Sequence, residues 1–503
     1  MSRYFLGIDV GTNESKAALI NEKCQLVSFA SEGHPLLNPK PGFFEHDAEE
    51  DWWGSFCRLS KKVISDSGID AADIACVGLS ALGCDCVPVD ENCNALCNAI
   101  LYGVDCRAVK EMQFLSEHYG EREVDVFGHP ICSSDVSPKI MWVKNNLPDV
   151  YSKTAKFLTG SSYLCAKLTG RYTIDKYLAE DFAPLYNLKD NTIDEEACKL
   201  FCRPDQLAEV MYATDIAGAV TEKAAEQTGL AAGTPVLVGT GDSGSEAVST
   251  GVFQPGDIMV QMGSSCYFVY LSDHMVTEER LWPGTFIIPN VYSICAGTNT
   301  AGTLTRWFRD EIFSELLEAE KNGGENAYSA MAKAIADIPT GSDNLICLPY
   351  FAGERTPLND PQAKGVFFGL TLQHTRAHMY KAAIEGIGYT IAQHFDILKE
   401  DGLPINKIMA VGGGTKNEVW LQCVADILGM PVHTSKVTFG AAYGDAIMAA
   451  LSGGAYESWE DLSRVIEYER TIEPNMENYK VYSKLRTIFN KIYNATKEYM
   501  HEI

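Results

Sequence analysis

The apolar and polar positions of this chain fall into strands that run into small-residue turns, with helical stripes between them. At the start, Tyr4-Phe5-Leu6-Gly7-Ile8-Asp9-Val10 is an apolar run that passes into Gly11-Thr12-Asn13-Glu14-Ser15-Lys16. Residues 17–20 and 26–30 then read as strands joined by the turn Asn21-Glu22-Lys23-Cys24, a hairpin. Over 47–67, Trp52, Phe56, Leu59 and Val63 recur at helical spacing behind a carboxylate-rich first turn, and this stripe is core packing. Strands are predicted at 74–80, 86–89 and 99–102, a helix with an acidic start at 105–117, and another from Ser137-Pro138, where proline suits a first turn. Residues 151–210 read as mostly helical, and 221–229 as a short helix before the apolar run Val236-Leu237-Val238.

After Gly251 the plan begins again. Residues 257–261 form a strand that ends at Met262-Gly263-Ser264-Ser265, and 266–271 returns as another. This echoes the N-terminal strand, turn and strand without repeating its sequence. Alternating strands and helices give an α/β class. With 503 residues, the chain is expected to form two domains, 1–250 and 251–503.

Four stretches carry candidate chemistry. Gly239-Thr240-Gly241-Asp242-Ser243 follows an apolar strand, which would hold the Asp242 carboxylate rigidly at a strand end; as a lone motif it reads first as a turn Asp on a glycine loop. Asp9 and Gly11-Thr12 in a hairpin can wrap backbone N–H groups around a phosphate while the Asp faces a hydrated metal, or can be a plain hairpin. Residues 408–411 lead into Gly412-Gly413-Gly414-Thr415-Lys416-Asn417 and the helix 418–428, an order that lets a nucleotide approach backbone. It is neither a dinucleotide fingerprint nor a Walker loop. Residues 438–446, Thr438-Phe439-Gly440-Ala441-Ala442-Tyr443-Gly444-Asp445-Ala446, form a small-residue helix suited to close packing.

Composition narrows the field. Lys+Arg 41 against Asp+Glu 67 gives a formal charge of -26, which repels nucleic acid and anionic membrane and leaves anionic ligands to helix N-termini, backbone amides or a metal. Cys84, Cys86, Cys93, Cys97 and Cys106 lack paired knuckles, so free, mostly buried thiols are expected. Many cysteines, no secretory leader at Met1–Leu6 and no spanning stretch point to a cytoplasmic protein, for which a homodimer is an open option.

Taken together, Gly7-Ile8-Asp9-Val10-Gly11-Thr12 with Lys16, Gly239-Thr240-Gly241-Asp242, residues 349–357 (Pro-Tyr-Phe-Ala-Gly-Glu-Arg-Thr-Pro), 365–370, Ala383-Ile384-Glu385-Gly386 and Gly412-Gly413-Gly414 resemble, in content and order, the motifs of the FGGY carbohydrate kinases, and among these the xylulokinase group. The resemblance implies two duplicated ribonuclease-H-like (actin-like ATPase) domains around a central cleft, sugar on the first and nucleotide largely on the second. It implies ATP and Mg²⁺ as cofactors and a ketose, a pentulose such as D-xylulose, as the small-molecule substrate. Asp242 would be the general base and Asp9 would hold Mg²⁺ through water. Gly11, Thr12, Asn13, Lys16, Gly263, Ser264, Ser265, Gly302, Gly413, Gly414 and Asn417 would meet ATP.

Gly83, Cys84, Tyr102, Asp105, Asp242 and Ser243 would face the sugar. Gly83-Cys84 stands where xylulokinases carry Met-His and glycerol kinases Arg-Glu, which disfavours glycerol and leaves ribulose, a sugar acid or erythritol as alternatives to D-xylulose. Arg107 is either a sugar contact or an internal partner of Asp105. An actin-like ATPase switch on the same plan is the reading from another class.

Overall fold

A computed structural model describes residues 3–436 and 439–503. The predicted start of the small-residue helix at Thr438 lies outside the described residues. The fold contains two seven-stranded sheets, one in each of two compact units. Unit one gathers Met1–Phe253, Gly284–Tyr292 and Phe439–Ile466; unit two holds Gln254–Pro283, Ser293–Thr438 and Glu467–Ile503. The chain therefore changes unit close to Gly251 and then crosses four more times.

The two sheets share one topology. In unit one the strands Leu26–Gly33, Glu14–Asn21, Tyr4–Val10, Ile74–Ala81, Pro235–Leu237 and Ile216–Ala219 are neighbours in that order. In unit two the same path is taken by Tyr292–Gly297, Cys266–Ser272, Asp257–Met262, Lys407–Val411, Val432–Ser435 and Tyr468–Ile472. In both, the third strand pairs antiparallel with the second and parallel with the fourth, the fourth and fifth are parallel, and the sixth is antiparallel. The duplication inferred from the echo at Gly251 is thus a duplication of strand order.

Phe5 to Val10 is buried at every position, because both faces of this central strand are covered. One face receives the helix Ala441–Ser452, which packs on Tyr4–Val10 and Ile74–Ala81 within unit one. Glycine makes that contact possible. A Cβ on Gly7 would lie 2.0 Å from the Ala442 carbonyl oxygen, and one on Gly78 would lie 2.1 Å from that of Asp445. Helix backbone and strand backbone touch directly, and no other residue fits at either site.

Several predicted elements shift. The 47–67 run is a π-turn, Ala48–Gly54, capped by Asp47 through the Glu49 and Glu50 amides, followed by the α-helix Ser55–Ser67. The 99–102 strand shortens to Ala99–Ile100. The helix expected from Asp105 begins only at Val109, with no acidic cap, since the Asp105 carboxylate is engaged elsewhere. Residues 151–210 are not mostly helical: helices such as Gly160–Thr169 and Glu195–Phe201 alternate with the short strands Lys156–Leu158, Thr173–Asp175, Tyr186–Asn187, Thr192–Ile193 and Glu209–Met211. Strands this short hold too few positions to show a period. Among the described residues no helix is long and apolar enough to cross a membrane.

The backbone contact is directly testable. Gly78→Ala is expected to destabilise unit one by about 2–3 kcal/mol or more, as overpacking against fixed backbone does, seen as a fall in the denaturation midpoint. Gly413→Ala, whose Cβ meets nothing within 4 Å, should change stability by less than about 0.5 kcal/mol. Equal effects of the two would refute the packing account.

Candidate active site

In unit one the candidate residues collect at the carboxyl ends of adjacent parallel strands, where open α/β sheets bind ligands. Asp9 lies near the end of Tyr4–Val10, Ser80 near the end of Ile74–Ala81, and Thr240-Gly241 pairs alongside Ser80-Ala81 before the helix Asp242–Ser249 begins. Asp242 is the first residue of that helix, and its Oδ1 accepts the Ser243 amide at 2.8 Å. Burial lifts its carboxyl to about 6, opposed by hydrogen bonds from the Ser243 and Gly83 backbones and by the charge of Lys16.

Asp9 is pushed further, to about 8, by burial and then by the negative charge of Asp242, while Ser80 and Lys16 pull the other way. Glu246, one turn beyond Asp242, is raised to about 6 by burial, relieved by Lys16. Three crowded carboxyls and one lysine make a site short of positive charge. Hard oxygen donors with excess negative charge suit Mg²⁺, and Asp9 is the donor at the strand end.

A residue the sequence reading passed over completes this arrangement. Asp445, on the small-residue helix, is fully buried. The Ser80 hydroxyl lies 3.0 Å from Asp9 Oδ1 and 2.7 Å from Asp445 Oδ2, and the Ser245 hydroxyl donates to Asp445 Oδ1 at 2.6 Å. One hydroxyl proton cannot serve two carboxylates. Burial and the charge of Asp9 hold the Asp445 carboxyl well above the usual range, so it is the protonated partner. Its O–H donates to Ser80 Oγ, and Ser80 donates to Asp9. The available signal was a lone acid inside an otherwise apolar, small-residue helix.

The hairpin Gly11-Thr12-Asn13 is closed by the Gly11 amide donating to the Glu14 carbonyl at 3.1 Å, and Asn13 is exposed at its tip. Lys16 pairs in register with Asp9 on the next strand. Gly83 and Tyr102 are in contact: a Cβ on Gly83 would fall 2.0 Å from the Tyr102 ring, so the ring fills the space a longer side chain would take. Asp85 fixes this pair by accepting the Tyr102 amide at 2.9 Å. Cys84 is buried and its thiol donates to the Leu178 carbonyl at 3.4 Å. The Ser243 hydroxyl pairs with Tyr177 at 3.0 Å.

Asp105 is brought close in sequence but not free in chemistry. Its carboxylate accepts from the Phe44 amide at 2.7 Å, from the Arg107 amide at 3.0 Å and from the Arg107 guanidinium at 2.8 to 3.0 Å. Arg107 also reaches Glu45 at 2.8 Å and stacks on Phe43 and Trp142. The two form an internal pair.

In unit two, Gly263-Ser264-Ser265 follows Asp257–Met262, and Gly412-Gly413-Gly414 follows the parallel neighbour Lys407–Val411. Gly302 donates to the Gly263 carbonyl at 2.9 Å, and a Cβ there would lie 2.5 Å from that oxygen, so the two loops share one tight backbone seam. The Ser264 side chain is exposed, Gly413 faces open space, and Gly414 is buried against Met262 and Trp420. Asn417 caps the helix Glu418–Leu428 by accepting the Trp420 amide at 3.1 Å. Ser264 and Gly413 are thus the open positions, while Gly302, Gly414 and Asn417 shape the backbone beside them.

Of the clustered cysteines, Cys84, Cys86 and Cys93 are buried, Cys97 is half-buried and Cys106 exposed, all free.

Comparison with known proteins gives this geometry its family. Residues 4–249 match the N-terminal domain, and residues 258–453 the C-terminal domain, of the FGGY family of carbohydrate kinases. The xylulose kinase of Bacillus subtilis is 27% identical over 507 residues, covering 99% of this chain and 98% of that one. The gluconokinase of the same organism is 30% identical over 497 residues, covering 97% and 95%. The crystal structure of xylulose kinase from Rhodospirillum rubrum superposes with a TM-score of 0.90 at 27% identity, covering 99% of this chain and all of the other. With both family domains matched in order and a pair of sheets of identical strand path, the chain belongs to the FGGY family of carbohydrate kinases and is a sugar kinase.

Proposed function

We propose that the protein transfers the γ-phosphoryl group of ATP to the terminal hydroxyl of a ketose, a pentulose such as D-xylulose. The observation that carries this reading is Asp242: a half-buried carboxyl at a strand end, raised only to about 6 and therefore mostly ionised at neutral pH. As the sugar oxygen attacks phosphorus, Asp242 takes its proton; the new O–P bond forms, the bond from phosphorus to the bridging oxygen breaks, and ADP leaves. Asp9 would hold Mg²⁺ through water, where the ion would offset charge on the phosphoryl oxygens. In unit one, Gly11, Thr12, Asn13 and Lys16 are proposed phosphate contacts. In unit two, Gly263, Ser264 and Gly413 are proposed nucleotide contacts, on backbone shaped by Ser265, Gly302, Gly414 and Asn417.

Tyr102, seated over Gly83, supplies the apolar face on which sugar carbons would pack. Asp105 and Cys84 act as supports of this wall, since their polar atoms are engaged within the protein. The resemblance to a gluconokinase keeps an aldonate as a second reading. Charge favours the neutral ketose: Asp85 and Asp242 are close enough to raise the Asp85 carboxyl together with burial, and Arg107 is already paired to Asp105 and Glu45.

ADP release across a panel of ketoses, aldoses, polyols and sugar acids tests the reading, with D-xylulose or another pentulose expected to stimulate most. Stimulation by gluconate alone would favour the aldonate, and stimulation by none of them the ATPase switch. Asp242→Asn should lower kcat by about 10²–10⁴-fold while calorimetric sugar affinity stays within a few fold; near-normal turnover would sink the assignment. Asp445→Asn keeps an N–H donor toward Ser80 and should leave the Mg²⁺ concentration for half-maximal rate near that of the wild type, whereas Asp445→Ala should raise it several-fold. Equal values for the two variants would contradict the role given to Asp445.

A further inference from the structure

The loop from His129 to Asp135 holds chemistry that phosphoryl transfer does not use. His129, Cys132 and Asp135 stand at H-x-x-C-x-x-D spacing, and one ligand atom from each lies within 4.8 Å of the others. Asp135 is 1% exposed. Its Oδ2 accepts the Cys132 amide at 2.7 Å, but no N–H or O–H donor reaches its buried Oδ1.

The imidazole explains what that oxygen faces. His129 Nδ1 is 2.9 Å from the Pro130 carbonyl oxygen, which can only accept, so Nδ1 carries the proton. In the neutral ring Nε2 is then a bare lone pair, and it lies 3.5 Å from Asp135 Oδ1. With a proton on Nε2 the contact is an ion pair; without it two lone pairs face each other beside the Cys132 thiol, an arrangement that a metal cation in place of the proton completes. A histidine whose other nitrogen donates to a backbone carbonyl is the usual form of a metal ligand.

The geometry points to a binding site for a zinc-class divalent cation, held by His129 Nε2, Cys132 Sγ and Asp135 Oδ1, with a fourth position left to water. One nitrogen, one sulfur and one carboxylate oxygen are borderline-soft donors that select Zn²⁺ over Mg²⁺, which keeps this site apart from Asp9. A tetrahedral ion with bonds of about 2.0–2.3 Å spaces its ligands by roughly 3.3–3.8 Å. The His129–Asp135 separation of 3.5 Å already has that spacing, and the three ligand atoms lie within 4.8 Å of one another, so closing on an ion takes a shift of about an ångström or less. Cys132 is exposed, which gives the ion its way in.

The loop is held in place from within: the Lys139 ammonium donates to the Ser133 and Ser134 carbonyls, between Cys132 and Asp135, at 2.7 and 3.4 Å. The same loop is tied to the Tyr102 segment, since the Ser133 hydroxyl donates to the Gly103 carbonyl at 2.7 Å. The ion would staple the loop against that segment, with no part in the chemistry. On binding, the Cys132 thiol loses its proton to solvent, one per ion.

The test uses the full-length enzyme stripped with chelator and titrated with Co²⁺. One equivalent should produce visible d–d bands of a tetrahedral ion and a near-ultraviolet thiolate-to-cobalt band, and added Zn²⁺ should remove both. Cys132→Ser should abolish the thiolate band, and His129→Ala should weaken Co²⁺ binding at least tenfold, with circular dichroism of both variants unchanged. Absence of stoichiometric binding by the wild type, or the same band in Cys132→Ser, would overturn the site.

Discussion

The seating of the helix Ala441–Ser452 on two glycines is the contact on which the carboxylates of the candidate site depend. Gly7 and Gly78 let its backbone touch the two central strands, and only at that distance can Asp445 reach Ser80 and, through it, Asp9. A helix held off by ordinary side chains would sit several ångströms further away and break the hydrogen-bond chain. Packing and chemistry share residues here: Ser80 is a fully buried strand residue and also the bridge between two acids.

That contact also explains the electrostatics. Asp9, Asp242, Glu246 and Asp445 lie within one region of unit one, and burial raises every one of them, with repulsion from a neighbouring carboxylate added for Asp9, Glu246 and Asp445. They do not rise equally. Asp445, the most enclosed, stays protonated and acts as a donor. Asp242 and Glu246, both held to about 6 by backbone hydrogen bonds and the field of Lys16, are left ionised near neutral pH, and of the two Asp242 stands directly at the strand end. The proposed base is thus distinguished by its place at the strand end as well as by its ionisation.

Much of this was legible in the sequence, because it is written in local patterns. A buried strand ending in Gly-Thr-Gly-Asp placed Asp242, and the strand, turn and strand after Gly251 marked the second sheet. Other features depend on contacts between distant segments. The Asp105–Arg107 pair was one of the two sequence readings, but the Phe44 amide that also donates to Asp105 comes from a segment 61 residues earlier. The helix at 441–452 belongs with strands four hundred residues earlier, which no spacing rule within the helix can reveal. The short strands of 151–210 and the His129–Asp135 loop fall below the length at which periodicity speaks, although the H-x-x-C-x-x-D spacing was there to be read.

The account turns on Asp242 being the ionised base whose proton affinity is set by burial against Lys16, and a pH profile of kcat/KM at saturating MgATP tests this most directly. Because the folded carboxyl is raised from 3.8 to about 6, activity should be full above that pH and fall as pH drops through about 6, with unit slope. Lys16→Met removes the charge that lowers it, so the midpoint should move to higher pH. A rate that stays level down to about pH 4, or a midpoint that does not move in Lys16→Met, would contradict the account.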